Sequence, residues 1–135
     1  MGKLYLEVIT PENVVVSQET DSVIAPGTLG EFGVLPEHVA FLSGIVHGEL
    51  RYSLDGKTES LAVSTGFSEV FNNRVSVLVD TAERHHDIDV ERARRAMERA
   101  KERLTKDRTE DVDFLRAEAA LKRAIARIKV AEAPK

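Results

Sequence analysis

The residues best placed to do chemistry are arginines in the last third of the chain. Arg92, Arg99 and Arg103 recur at steps of seven and four, and Arg116, Arg123 and Arg127 repeat the pattern further on. At about 100° per residue each trio falls on one line of a helix. Each line is offset from its neighbouring apolar stripe by about 100–120°, in the same rotational sense. An antiparallel pair of such helices would bring six guanidinium groups to one side. Such a cluster has to be neutralised. Glu83, Asp87, Asp89 and Glu91 could do so from within the chain, as ion pairs of small individual worth. A phosphate ester could do so from outside, because the planar guanidinium fork matches phosphate oxygens. Spacing alone leaves both open.

The remaining candidates are weaker. His85 and His86 stand beside Asp87 and Asp89, but adjacent residues of an extended segment point in opposite directions, so no metal chelate is expected. His38 and His47 are isolated and read as structural or interfacial. Gly27, Gly30 and Gly33 recur every third residue, yet no Gly-Lys-Ser/Thr follows and no helix opens there to receive an anion. They are expected to serve turns and close backbone approach in a curved sheet. No Ser/His/Asp or Cys/His set and no paired carboxylates stand out, so a catalytic reading has nothing to build on.

The arginines need helices to position them. Asp89 is a good N-cap, with Glu91 in the first turn. A first helix face runs Val90, Ala93, Ala96, Met97, Ala100 and Leu104; Thr105 to Glu110 interrupts it. A second, from about Asp111, runs Phe114, Ala117, Leu121, Ala124, Ile125, Ile128 and Ala131. Two such helices joined by a polar turn make an antiparallel hairpin. Its apolar members are small, and burying an alanine contributes far less than the ~1.5–3 kcal/mol of a large side chain. A weakly held hairpin on a firm base suits a switch.

The base is residues 1–84. All eight glycines and three of the four prolines lie there. Leu4, Leu6 and Val8 alternate with polar residues as in a half-buried strand. Thr10 to Asn13 reads as a turn, and Val14–Val16 and Ser22–Ala25 as β-branched runs. Asp55-Gly56 joins two strand patterns, and Asn72-Asn73 joins another pair, each with the residues of a type I′ turn. Phe67, Val70 or Phe71, and Val75, Val77 and Val79 are expected to form one buried face. Turn signals every ~8–12 residues argue a sandwich or closed barrel. Apolar Val34-Leu35-Pro36 at a loop tip is expected to be exposed as a partner surface. The expected architecture is therefore α+β: an antiparallel β-sandwich of about ten short strands over 1–84, then an αα-hairpin over 85–135.

Charge divides at the same seam. Residues 1–84 carry five basic and twelve acidic groups, and residues 85–135 fourteen and eleven. The first part has no nucleic-acid footprint, and no nucleic-acid partner is expected. There is no cysteine for a disulfide or thiolate site. No apolar run approaches the ~20 residues of a membrane span, and the start at Met1-Gly2-Lys3 shows no signal-peptide pattern.

The order of Gly-Glu-Phe-Gly-Val-Leu-Pro-Glu-His (30–38), Gly48-Glu49-Leu50, Val63 to Val70, Val75 to Asp80 with Ala82-Glu83, and Ile88-Asp89-Val90-Glu91-Arg92-Ala93 resembles the epsilon subunits of bacterial F-type ATP synthases over essentially the whole chain. The chain departs from the family's usual Gly at Glu37, Pro at Ala40 and Gly at Thr65. The resemblance implies a non-catalytic central-stalk subunit that couples proton-driven rotation to ATP synthesis. Its sandwich would bind the gamma subunit and rest on the c-subunit ring, with Glu31, Phe32, Val34, Leu35 and His38 near that surface. Its hairpin, folded down, would permit ATP hydrolysis; extended toward the alpha and beta subunits, it would inhibit it. In some members the Ile-Asp-x-x-Arg-Ala motif and second-helix arginines bind ATP as an effector. The motif corresponds to Ile88, Asp89, Arg92 and Ala93, and the second-helix arginines to Arg123 and Arg127; Arg99 of the first arginine line and the carboxylate Glu83 are expected to complete the site. No cofactor is required. The implied location is the cytoplasmic face of the bacterial membrane, reached only through the complex. Two rivals are a purely structural rotor subunit, whose arginines meet only carboxylates, and a stand-alone nucleotide-binding module.

Overall fold

A computed structural model describes residues 2–105 and 111–132. Ten strands precede two helices: β1 (Leu4–Ile9), β2 (Val14–Thr20), β3 (Ser22–Gly27), β4 (Gly30–Val34), β5 (Phe41–Ile45), β6 (Gly48–Leu54), β7 (Lys57–Val63), β8 (Gly66–Phe71), β9 (Arg74–Val79), β10 (Ala82–Arg84), then α1 (Val90–Thr105) and α2 (Asp111–Ala131). The polar connection read at Thr105–Glu110 lies, beyond Thr105 itself, outside the described residues.

Local chemistry explains the hairpins. Asp55 and Gly56 both have positive φ, 52° and 82°, as do Asn72 and Asn73, 48° and 60°, which the tight β6–β7 and β8–β9 turns require. The glycine run makes the β3–β4 hairpin. Gly27 pairs with Gly30, and a Cβ on Gly27 would come within 2.8 Å of the Gly30 carbonyl oxygen. Glu37 has φ 69°, at the position where the resembled family commonly has glycine. Its backbone N–H donates to Asn73 Oδ1 at 2.7 Å, which helps hold the uncommon conformation.

The strands form one sheet in the order β10-β7-β6-β3-β5-β8-β9-β1-β2, with β4 paired to β3. All pairings are antiparallel except β1 with β9. β3 is shared, Ser22–Ile24 pairing with β6 and Gly27 with β5, so the sheet folds over there into a sandwich approaching a barrel. The ends are tied by Arg84 of β10, which donates to the Val15 carbonyl of β2 at 2.9 Å and to the Tyr52 hydroxyl at 3.1 Å. Inward residues of both halves make one core, including Leu4, Leu6, Val8, Leu50, Leu61, Val75 and Val77.

The structure corrects part of the expected core. Phe67 and Phe71 point outward, 53% and 57% exposed, while Ser68 and Val70 point in. A strand's two-residue period forces that choice once Val70 is buried. Val34 is buried, not exposed at a loop tip, because it ends β4 opposite Val23; Leu35, one residue on, is 63% exposed.

Candidate functional site

The hairpin lies folded down on the sandwich. Asp89 caps α1 by accepting the Arg92 backbone N–H at 3.1 Å on Oδ1. Arg94 Nη2, near the start of α1, lies 3.5 Å from Glu132 just past α2, so the helices run antiparallel. α1 packs on α2, and α2 packs on β6 and β7. The buried residues along the helices are mostly alanines: Ala93, Ala100, Ala117, Ala124 and Ala126. Small residues let helices approach closely but contribute little apolar burial each.

α2 has two working faces. Ala126 and Val130 lie roughly 120–180° around the helix from Ala117 and Ala124. Val130 is fully buried in a cluster with Ala62 of β7 and Ile88, with Ala131 at its edge. Sequence periodicity found the Ala117–Ala124 stripe and missed the Ala126–Val130 stripe. The available signal was a second i, i+4 apolar pair beside the first. Ile125, expected inward, is 48% exposed, because it falls between the two faces.

The floor beneath Val130 is a cross-strand row. Ala62 pairs with Glu49 of β6 on one side and Glu83 of β10 on the other, so the three side chains share one face of the sheet. Each carboxylate takes a cation from α2. Arg127 Nε lies 2.7 Å from Glu83 Oε1, and the aligned hydrogen bond runs from Nη2 to Oε2 at 3.1 Å. Lys129 Nζ lies 3.7 Å from Glu49 Oε1. Glu49, itself buried, also accepts from Arg51 Nη1 at 2.8 Å, and Arg51 Nη2 reaches Glu31 at 3.2 Å. Those hydrogen bonds, that to Glu49 first, raise the Arg51 pKa.

The predicted nucleotide residues are brought together only in part. Glu83 and Arg127 touch. Ile88 packs beside Val130, and Ala93 is buried. Asp89 serves as cap. Arg92, Arg99 and Arg123 are exposed and form no ion pair with a described carboxylate. A groove of about 990 Å³ beside the dock is lined by Glu49, Arg51, Lys57, His85, His86 and Lys129, and none of the predicted nucleotide residues lines it. His85 and His86 sit in a 3-10 turn, His85–Asp87, not an extended segment.

The predicted partner residues lie around β4. Phe32 packs edge-on against Phe41 with ring centroids 5.1 Å apart, and His38 lies 5.9 Å from the same ring. Glu31 is engaged by Arg51. A larger apolar surface was missed: the outer face of β5, β8 and β9. Phe67 pairs across strands with Leu78 and with Gly44, and Leu42 stands opposite Glu69. Leu42, Phe67, Phe71 and Leu78 are 70%, 53%, 57% and 40% exposed. Their sequence signal was hidden, because β8 carries apolar residues on both faces.

The class defined by this geometry is a ten-stranded β-sandwich bearing a docked αα-hairpin. Residues 3–85 match the family described as ATP synthase, Delta/Epsilon chain, beta-sandwich domain, and residues 86–132 match its long alpha-helix domain. The chain belongs to the ATP synthase delta/epsilon chain family. An ATP synthase epsilon chain of Carboxydothermus hydrogenoformans is 54% identical over 104 residues, 77% of this chain and 78% of that one. One of Nitratidesulfovibrio vulgaris (strain DP4) is 52% identical over 103 residues, 76% and 77%. A solved chain from the Euglena gracilis mitochondrial ATP synthase (OSCP/F1/c-ring) shares the fold with a TM-score of 0.85 at 21% identity, over 97% of this chain and 82% of that one. No described helix is long and apolar enough to cross a membrane.

Proposed function

We propose that this chain is a non-catalytic central-stalk subunit of a bacterial F-type ATP synthase whose hairpin moves to regulate hydrolysis. The observation that carries the reading is the dock of α2: one large apolar side chain, Val130, flanked by two ion pairs on the Glu49–Ala62–Glu83 row. Such a contact holds a hairpin down without committing it. Folded, the hairpin permits ATP hydrolysis; extended along the gamma subunit toward the alpha and beta subunits, it inhibits. The outer face of β5, β8 and β9 supplies an apolar surface for the gamma subunit, and the β4 region faces the c-ring. The chain then sits peripherally at the cytoplasmic face of the membrane.

ATP acts in this reading as an effector. Arg123 and Arg127 grip phosphates, and Arg92 orients the site. A ligand that binds only the folded state adds RT ln(1 + [L]/Kd) to its stability, about 1.4 kcal/mol at ten times Kd. That suffices to redistribute a hairpin poised near balance. Calorimetric titration of the isolated chain with ATP, with ADP alongside, tests it. Arg123→Ala is expected to weaken ATP binding about tenfold or more, the loss of a charge-assisted contact. Absence of binding at millimolar ATP would leave the purely structural subunit, whose arginines answer only to carboxylates such as Glu83.

A further inference from the structure

The face of α2 turned to the sandwich carries two arginines with different surroundings. Arg127 meets Glu83. Arg123, about one turn earlier and within roughly 20° of Val130 around the helix, meets no carboxylate of the described residues. Its charge instead acts on His47, in the link between β5 and β6, where it disfavours a proton on the ring. Register accounts for this. Val130 sits over Ala62, whose neighbour on β6 is Glu49. Seven residues back along α2 is about 10 Å, and two residues back along β6 is about 7 Å and arrives at His47.

The Nδ1 atom of His47 is buried and has no hydrogen-bond partner among the described residues. The charges that act on the ring are those of Arg123 and Lys122 of α2, and of Asp80 on the β9–β10 link. Lys122 has a weak partner in Glu118 at 3.7 Å. Burial, then Arg123, then Lys122 push the His47 pKa below its usual value, and Asp80 opposes them.

We propose that His47 is a proton-operated release for the hairpin: docked, its half-buried neutral ring leaves the charges of Lys122 and Arg123 unopposed by a third, and a proton adds that third positive charge and drives α2 off the sheet. The proposal rests on the hairpin motion put forward above. Its sign follows from linkage. The docked state binds fewer protons at His47 than the released state. Docking is therefore at full strength above about pH 6.5, and it weakens as the pH falls below that value, by at most tenfold in the docked-to-released ratio per pH unit.

The cysteine-free chain allows a direct test. Cysteines replacing exposed Lys57 and Arg95 carry a donor and an acceptor dye, and energy transfer reports docking in nucleotide-free buffer from pH 8 to 5.5. The scan is run with Glu83 intact and with Glu83→Gln, which brings the equilibrium closer to balance. Transfer is expected to fall on acidification with His47 present, to stay level in His47→Gln, and to be low already at pH 8 in His47→Arg. A His47→Gln profile that follows the parent would overturn the proposal, since the proton then acts elsewhere. So would a flat parent profile in both backgrounds when high salt or Glu83→Lys still lowers transfer; hairpin motion would then survive alone. Transfer insensitive to pH, salt and Glu83→Lys alike would remove the hairpin motion as well.

Discussion

At the scale of single residues, the contact between Arg127 and Glu83 is one of those that hold the hairpin on the sandwich. It is partly buried, with side chains 23% and 34% exposed. Its worth should fall between the ~0.2–1 kcal/mol of a surface pair and the ~3–5 kcal/mol lost on breaking a buried one. Glu83→Ala is expected to loosen docking by about 1–2 kcal/mol, read as faster amide exchange in α2. Arg127→Ala should add little in the double variant, as two halves of one contact do; full additivity would show that the pair does not couple. The turn residues were legible because their chemistry is local: a left-handed backbone at Asp55-Gly56 or Asn72-Asn73 depends on no distant neighbour. Glu83 was legible as a partner for an arginine, but which arginine it takes depends on how α2 lies across β7 and β10.

At the scale of elements, α2 is the link between the two parts. It meets α1 through alanines and the sandwich through Val130. Val130→Ala removes two buried carbon groups, worth ~1.6 kcal/mol of transfer free energy before any cavity cost. The expected outcome is selective: amides of α1 and α2 exchange faster, while those of β1, β6 and β9 keep their protection. Equal loss in both parts would mean that hairpin and sandwich unfold as one unit. The bounds of β8 and β9 could be read from alternation and turn residues. β10 could not, since three residues carry no period and Ala82–Arg84 becomes a strand only by pairing with β7.

At the scale of the whole molecule, the sandwich leaves an apolar face uncovered. Leu42, Phe67, Phe71 and Leu78 stand exposed on the outer face of β5, β8 and β9, and a contiguous exposed apolar patch marks an interaction surface. Joint substitution Phe67→Ser and Leu78→Ser is expected to leave the thermal midpoint of the isolated chain within a few degrees, because exposed positions contribute little to folding. If the face takes the gamma subunit as proposed, the change should weaken that binding by about 100-fold or more, as for large apolar anchors at an interface centre. Unchanged binding in a pull-down titration would move the partner to another face.

Features that rest on neighbours along the chain were legible before any packing was known: the four-residue and two-residue turns, the strand alternation of Leu4, Leu6 and Val8, the Asp89 cap and the alanine stripe of each helix. Packing between distant strands and helices set which way Phe67 faces, made Val34 core, gave α2 a second face at Val130 and Ala126, and put Glu49 and Glu83 on either side of Ala62 in one row. Both faces of β8 and both stripes of α2 carry apolar residues, so the local pattern is ambiguous there. Where local pattern permits two burials, long-range pairing across the sheet selects between them.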